Sequence, residues 1–192
     1  RQRGVLVLAA QAEGRAGPRR SLLVLHPLPL WVDDLRPLQS TQRAELLAHY
    51  RRCLGPFPER MPLNARVSGV IKRGAYEIEK IIFESRPGFL VTALAYVPRG
   101  RSVPVPGVLC IPGHAENGKA YEVYQRLHAA LASKGYFVLT YDPLGQGERK
   151  QQWDSARRAS WVGSSTSEHS YLGNQCFLLG INLAQYMIWD SI

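Results

Sequence analysis

Residues 105–141 restrict the fold more than any other stretch of this chain. Residues 105–111 (VPGVLCI) are apolar without alternation, the pattern of a strand covered on both faces, and they are read as the centre of a sheet. Residues 119–134 then repeat apolar side chains at Ala120, Tyr124, Leu127 and Leu131 and stop at Gly135, which predicts a helix with a left-handed glycine cap. Residues 136–141 (YFVLTY) form a second apolar strand. Strand, helix and strand with short joints make the crossover unit of a parallel sheet, whose sites lie in loops at the carboxyl ends of the strands. The loops that could carry chemistry are therefore 112–118 and 142–148.

The text before this unit has a different period. Residues 67–72, 76–84 and 90–97 alternate apolar and polar side chains, Ile78, Lys80 and Ile82 among them, with turn signals at Arg73-Gly74 and Arg86-Pro87-Gly88. They predict antiparallel strands leading into the parallel unit. Ser40 opens a predicted helix whose apolar face is Ala44, Leu47, Ala48, Cys53 and Leu54, stopped by Gly55-Pro56. Residues 1–39 mix Gly, Pro and Arg and are expected to form an irregular arm. The expected organisation is an arm and helix over 1–60 and an α/β sheet unit over 61–192. With 45% apolar and 20% charged residues in 192, the chain can bury a core.

Charge and cysteine usage narrow the function classes. Against 15 acidic residues stand 24 basic ones, a net charge of +9, but the basic runs are only pairs such as Arg19-Arg20, Arg51-Arg52 and Arg157-Arg158. No nucleic-acid partner is expected from so scattered a distribution. Cys53, Cys110 and Cys176 lie far apart without CxxC spacing, so neither a disulfide framework nor a metal site is expected. Cys110 and Cys176, beside apolar neighbours, are read as buried. The uncharged residues 169–189 include Ser170, Asn174, Gln175, Asn182 and Gln185, which favours one long buried helix over a membrane span. Residues 1–12 outline the tail of a signal peptide with a short apolar part, and the compartment, cytoplasmic or secreted, stays open. Nothing in the sequence speaks to oligomeric state.

Two chemistries fit the loops. Residues 113–120 (GHAENGKA) match GxxxxGK of a phosphate-binding loop, with Lys119 as the phosphate-directed lysine, but Ala120 stands where a Mg²⁺-binding hydroxyl belongs. Asp142-Pro143-Leu144-Gly145 copies a DxxG loop, while no NKxD base-recognition motif occurs. A nucleotide-binding module is thus one alternative.

The other uses more of the chain. Antiparallel strands, then Ile111-Pro112-Gly113-His114, a helix, Gly135-Tyr136-Phe137-Val138-Leu139-Thr140-Tyr141-Asp142, and Gly145-Gln146-Gly147-Glu148 together resemble the N-terminal half of α/β-hydrolases. The likeness covers about residues 60–192 and is greatest to the acetyl-xylan-esterase, dienelactone-hydrolase and prolyl-oligopeptidase branch; His169-Ser170-Tyr171-Leu172-Gly173, leading into the apolar helix, is also similar to esterase-like members. The resemblance implies ester hydrolysis through a serine acyl-enzyme on a small ester, without a cofactor. It assigns the backbone N–H of His114 as one oxyanion donor, a contribution of about 3–4 kcal/mol to the transition state. Gly113 and Ala115 would flank the substrate. In that family the acid follows the nucleophile, so Asp142, Gly145 and Gly147 are expected to shape the loop beside the pocket rather than to react.

A serine hydrolase also needs a G-x-S-x-G elbow, and no such motif occurs here. Ser164, Ser165 and Ser167 sit in GSSTS, expected to be a surface loop. The sequence therefore predicts a chain that ends before the nucleophile elbow, holds half an oxyanion hole and is inactive alone. A third possibility is a non-catalytic half that pairs with another chain.

Overall fold

The structure, a computed structural model, describes residues 7–11, 40–100 and 104–192. An antiparallel meander comes first: β2 (Arg66–Lys72), β3 (Tyr76–Arg86) and β4 (Phe89–Pro98), following the period-two alternation of their side chains. The β3–β4 hairpin closes on Gly88, whose φ of +71° suits a residue without Cβ. β5 (Pro106–Cys110) and β6 (Phe137–Tyr141) are parallel neighbours joined through α2 (Glu122–Ser133). β6 pairs antiparallel with β4, and β1 (Val7–Gln11) pairs antiparallel with β5. The sheet order is β1-β5-β6-β4-β3-β2, a mixed α/β architecture, mainly antiparallel with a parallel pair.

The two sheet faces bury different sets. Under α2 pack Ile78, Tyr96, Val108, Cys110 and Val138 with Ala132 of the helix. On the opposite face Phe83, Val91, Ala93 and Tyr141 pack with Ile81, Leu109, Ile111 and Leu139. Val138 and Leu139 thus point to opposite sides, which is why the apolar strands show no alternation. Full burial of one such valine or leucine contributes about 1.5–3 kcal/mol.

Several expectations are corrected. β5 is second from an edge, with β1 alone beyond it, and β6 with β4 forms the centre, each having at least two strands on either side. Residues 7–11, expected in the irregular arm, form β1; the rest of that arm, 1–6 and 12–39, lies outside the described residues. The helix predicted over 119–134 begins at Glu122: Tyr121 is extended (φ −64°, ψ 131°), and Lys119 belongs to a separate 3₁₀ turn, Gly118–Ala120. The stretch 169–189 is two helices, α3 (Ser165–Leu178) and α4 (Leu183–Trp189), parted by Gly180 at φ +69°. The Asn182 side chain caps α4, accepting from Ala184 N–H at 2.9 Å. Residues 164–167 are a helix start rather than a loop, with the Ser164 hydroxyl accepting from Ser167 N–H at 3.3 Å.

Burial corrects the helical faces as well. Cys110 is buried but Cys176 only half so, and Phe177, Leu178 and Leu179 beside it are exposed around the C-terminal end of α3. α1 (Ser40–Leu54) ends at Gly55 (φ +82°) as predicted, yet of its apolar face only Leu54 is buried. α4, by contrast, is fastened to the β3–β4 end: the Trp189 indole donates to the Ser85 carbonyl at 2.6 Å, and Ser85 donates its hydroxyl to Asp190 at 2.6 Å. Among the described residues no helix is long and apolar enough to cross a membrane.

Candidate active site

Asp142, the first residue after β6, is fully buried and organises both loops. Its Oδ1 accepts from Lys119 N–H at 2.8 Å; its Oδ2 accepts from Lys119 Nζ at 2.5 Å, Glu148 N–H at 2.9 Å and the Thr92 hydroxyl at 3.1 Å. Lys119 Nζ also meets Glu148 Oε2 at 2.6 Å and Thr92 Oγ1 at 3.3 Å. The Lys119 bond holds the Glu148 carboxyl below its ordinary range against the opposing effect of burial. Gly118 (φ +51°) and Gly147 (φ +54°) leave room for this carboxylate: an added Cβ would lie 2.1 Å and 2.4 Å from Asp142 Oδ1, respectively. Backbone conformation and close approach both require glycine at these two positions.

The turn after β5 is clamped from two sides. Gly113 N–H donates to the Tyr124 hydroxyl at 2.9 Å, and Ala115 N–H donates to Gln146 Oε1 at 2.7 Å. Between them, the His114 N–H has no partner among the described residues. The remaining amides of this loop mostly turn inward: Gly118 N–H to Ala115 O, Ala120 N–H to Asn117 O, and Lys119 N–H to Asp142. Among the described residues the N–H groups of His114, Glu116 and Asn117 have no partner, and His114 is the one held between the two clamped amides.

A cleft of about 530 Å³ opens beside this donor. Ile111, Pro112, Met187 and Ile188 give it an apolar wall; His114, Gln146 and His169 supply polar edges. His114 Nε2 lies 2.8 Å from His169 Nδ1, and His169 Nε2 lies 2.6 Å from the Leu144 carbonyl. Burial pushes His169 below the ordinary histidine value, partly opposed by that carbonyl and reinforced by His114. Glu116, on the far side of the loop, accepts from Ser165 N–H at 2.6 Å and pairs with Lys150 at 3.0 Å, tying α3 to the turn.

Asp142, Gly147 and Lys119 thus meet in one buried hub, and Gly113 and His114 line the cleft, whereas Ala115, expected to flank the substrate, is bonded to Gln146 and does not line it. Gly145 (φ +80°) lies against His169, where an added Cβ would be 3.0 Å from the ring. Sequence reasoning missed His169, Gln146 and Ser165 as partners of the turn. Each reaches it across 31 to 55 residues, so no local spacing could reveal the contact. Ser165 is buried at the first turn of α3, and its N–H is bonded to Glu116. Among the described residues no cluster of three or more His, Cys, Asp or Glu side chains could hold a metal ion.

No family model and no curated protein matches this chain. Solved structures do. A protein from Bacteroides fragilis described as a candidate acetyl xylan esterase superposes with a TM-score of 0.58 at 22% identity, over 78% of this chain and 40% of that one. A methylesterase designated BT1017 aligns at 23% identity and a TM-score of 0.46, over 77% of this chain and 34% of that one. This chain spans about 40% of the first structure's length, and at that identity the likeness is one of fold.

Proposed function

We propose that this chain carries the oxyanion-side loops and part of the cleft of an α/β-hydrolase-type serine ester hydrolase, with the backbone N–H of His114 as one oxyanion donor. The observation that carries the proposal is the clamped turn. Tyr124 and Gln146 fix the amides on either side, leaving one donor at the carboxyl end of β5, beside an apolar cleft. A donor held in place before reaction stabilises developing charge without reorganisation, which is where such sites gain most of their rate. The esterase-like fold neighbour supports the same reading. A small ester fits the chemistry of the cleft, apolar for an acyl chain and polar at one edge.

The nucleotide alternative asks Lys119 to reach outer phosphates. Its ammonium instead contacts Asp142, Glu148 and Thr92, and the loop amides are mostly committed inward. Those contacts favour the ester reading. Hydrolysis by residues 1–192 alone is not part of the proposal, because the chain has no G-x-S-x-G motif.

The test is ligand binding followed by amide NMR. Phenyl acetate is expected to perturb Gly113, His114 and Ala115 together with Met187 and Ile188, while a fluorophosphonate labels no serine. Perturbations elsewhere would overturn the site, and a labelled serine would overturn the claim of inactivity.

A further inference from the structure

His114 and His169 meet at 2.8 Å, Nε2 to Nδ1, with ring planes inclined at 53°. A third group decides where the protons sit. His169 Nε2 lies 2.6 Å from the Leu144 carbonyl oxygen, which can only accept, so His169 carries a proton on Nε2. Burial favours the neutral ring, whose Nδ1 is then a lone pair. His114 must therefore donate from Nε2, and in its neutral ring the free lone pair falls on Nδ1. No described residue engages that atom. His114 lines the 530 Å³ cleft.

Gly145 makes the arrangement possible. At φ +80° it brings the loop onto His169, and an added Cβ would lie 3.0 Å from His169 Cδ2 and 3.3 Å from Nε2. A Cβ there would crowd the ring, so glycine eases the approach of the Leu144 carbonyl. A chain of two hydrogen bonds thus runs from the loop after β6 to a side chain on the loop after β5.

We infer that His169 is a positioning residue that locks His114 in the Nε2–H tautomer, so that His114 Nδ1 faces the cleft as a hydrogen-bond acceptor for a hydroxyl group on the ligand. The inference rests on the ester reading of the cleft and adds the class of ester: one with a free hydroxyl on its alcohol portion. A hydroxyl entering beside Ile111, Pro112, Met187 and Ile188 loses water and needs a partner, which Nδ1 provides. A ligand presenting a second acceptor there meets lone pair against lone pair and binds less well.

The test uses the 192-residue chain labelled with ¹⁵N in its histidine rings, at pH 7.5. Both His114 and His169 should show the Nε2–H tautomer. His169→Phe keeps a ring but removes the acceptor, and His114 should then exchange between tautomers, which loss of packing alone would not produce. 2-Hydroxyethyl acetate should shift the His114 Nδ1 resonance and saturate at about threefold to tenfold lower concentration than its isostere n-propyl acetate, the span of one net hydrogen bond. The preference should fall towards unity in His169→Phe and in His114→Phe. A proton on Nδ1 in the unaltered chain, or equal binding of the two esters, would overturn the inference alone. If neither ester binds while the tautomers are as stated, the ester reading fails and takes the ligand assignment with it.

Discussion

Replacing Asp142 by asparagine keeps the side-chain volume and removes one buried charge. The amide oxygen can still accept from Lys119 N–H, as Oδ1 does at 2.8 Å. At the Oδ2 position its NH₂ faces three donors, Lys119 Nζ at 2.5 Å, Glu148 N–H at 2.9 Å and the Thr92 hydroxyl at 3.1 Å. Removing one partner of a buried ion pair costs about 3–5 kcal/mol. Glu148, with its side chain 69% exposed, remains on Lys119, and this places the expected loss near about 3 kcal/mol, the lower end of that range. Lys119→Met in the same chain removes the stranded ammonium. The double variant should therefore lose about 2 kcal/mol less than the sum of the single ones. Urea unfolding of the four chains, followed by near-ultraviolet circular dichroism, measures this. Additivity within about 0.5 kcal/mol, or an Asp142→Asn cost below about 1 kcal/mol, would refute the hub as the organiser of the two loops.

Two further outcomes follow from buried groups. His128 is 1% exposed, and burial lowers it from 6.5 to about 4, so the unfolded chain takes up the proton first as the pH falls. Stability present above about pH 6.5 should be lost progressively down to about pH 4, by about 2 kcal/mol at pH 5; His128→Leu should flatten that slope, and an unchanged slope in denaturation at pH 7 and 5 would contradict it. Gly147→Ala should destabilise by more than about 2 kcal/mol, through its positive φ and the Asp142 contact, whereas Gly74→Ala, with nothing within 4 Å, should change stability by less than about 0.5 kcal/mol. Equal effects on the thermal midpoint would sink that reasoning.

The parts of this protein legible in its sequence are those encoded by local period. Alternation placed β2, β3 and β4 within one or two residues, and the glycine stops at Gly55 and Gly135 fell where helices end. Tertiary choices were not legible. β1 forms only because an edge of β5 is available, and nothing in residues 7–11 distinguishes an added strand from an arm. The break at Gly180 was hidden because leucines on both sides continue the helical pattern; α3 ends at Leu178, and α4 restarts where Ser85 can hold its last turn. In the site, Gly113-His114 and Asp142 stood out through the resemblance of their two loops to a hydrolase pattern. His169 did not: its significance depends on a carbonyl 25 residues away and an imidazole 55 residues away.

Amide NMR of the His114 N–H tests the account most directly, with phenyl methylphosphonate as an anionic, tetrahedral imitation of the acyl-transfer intermediate. The His114 amide proton should move downfield more than any other in residues 113–120, while Mg²⁺ and ATP leave the whole loop unmoved. A Mg²⁺-dependent response to ATP spread across residues 113–120 and abolished by Lys119→Ala would contradict it.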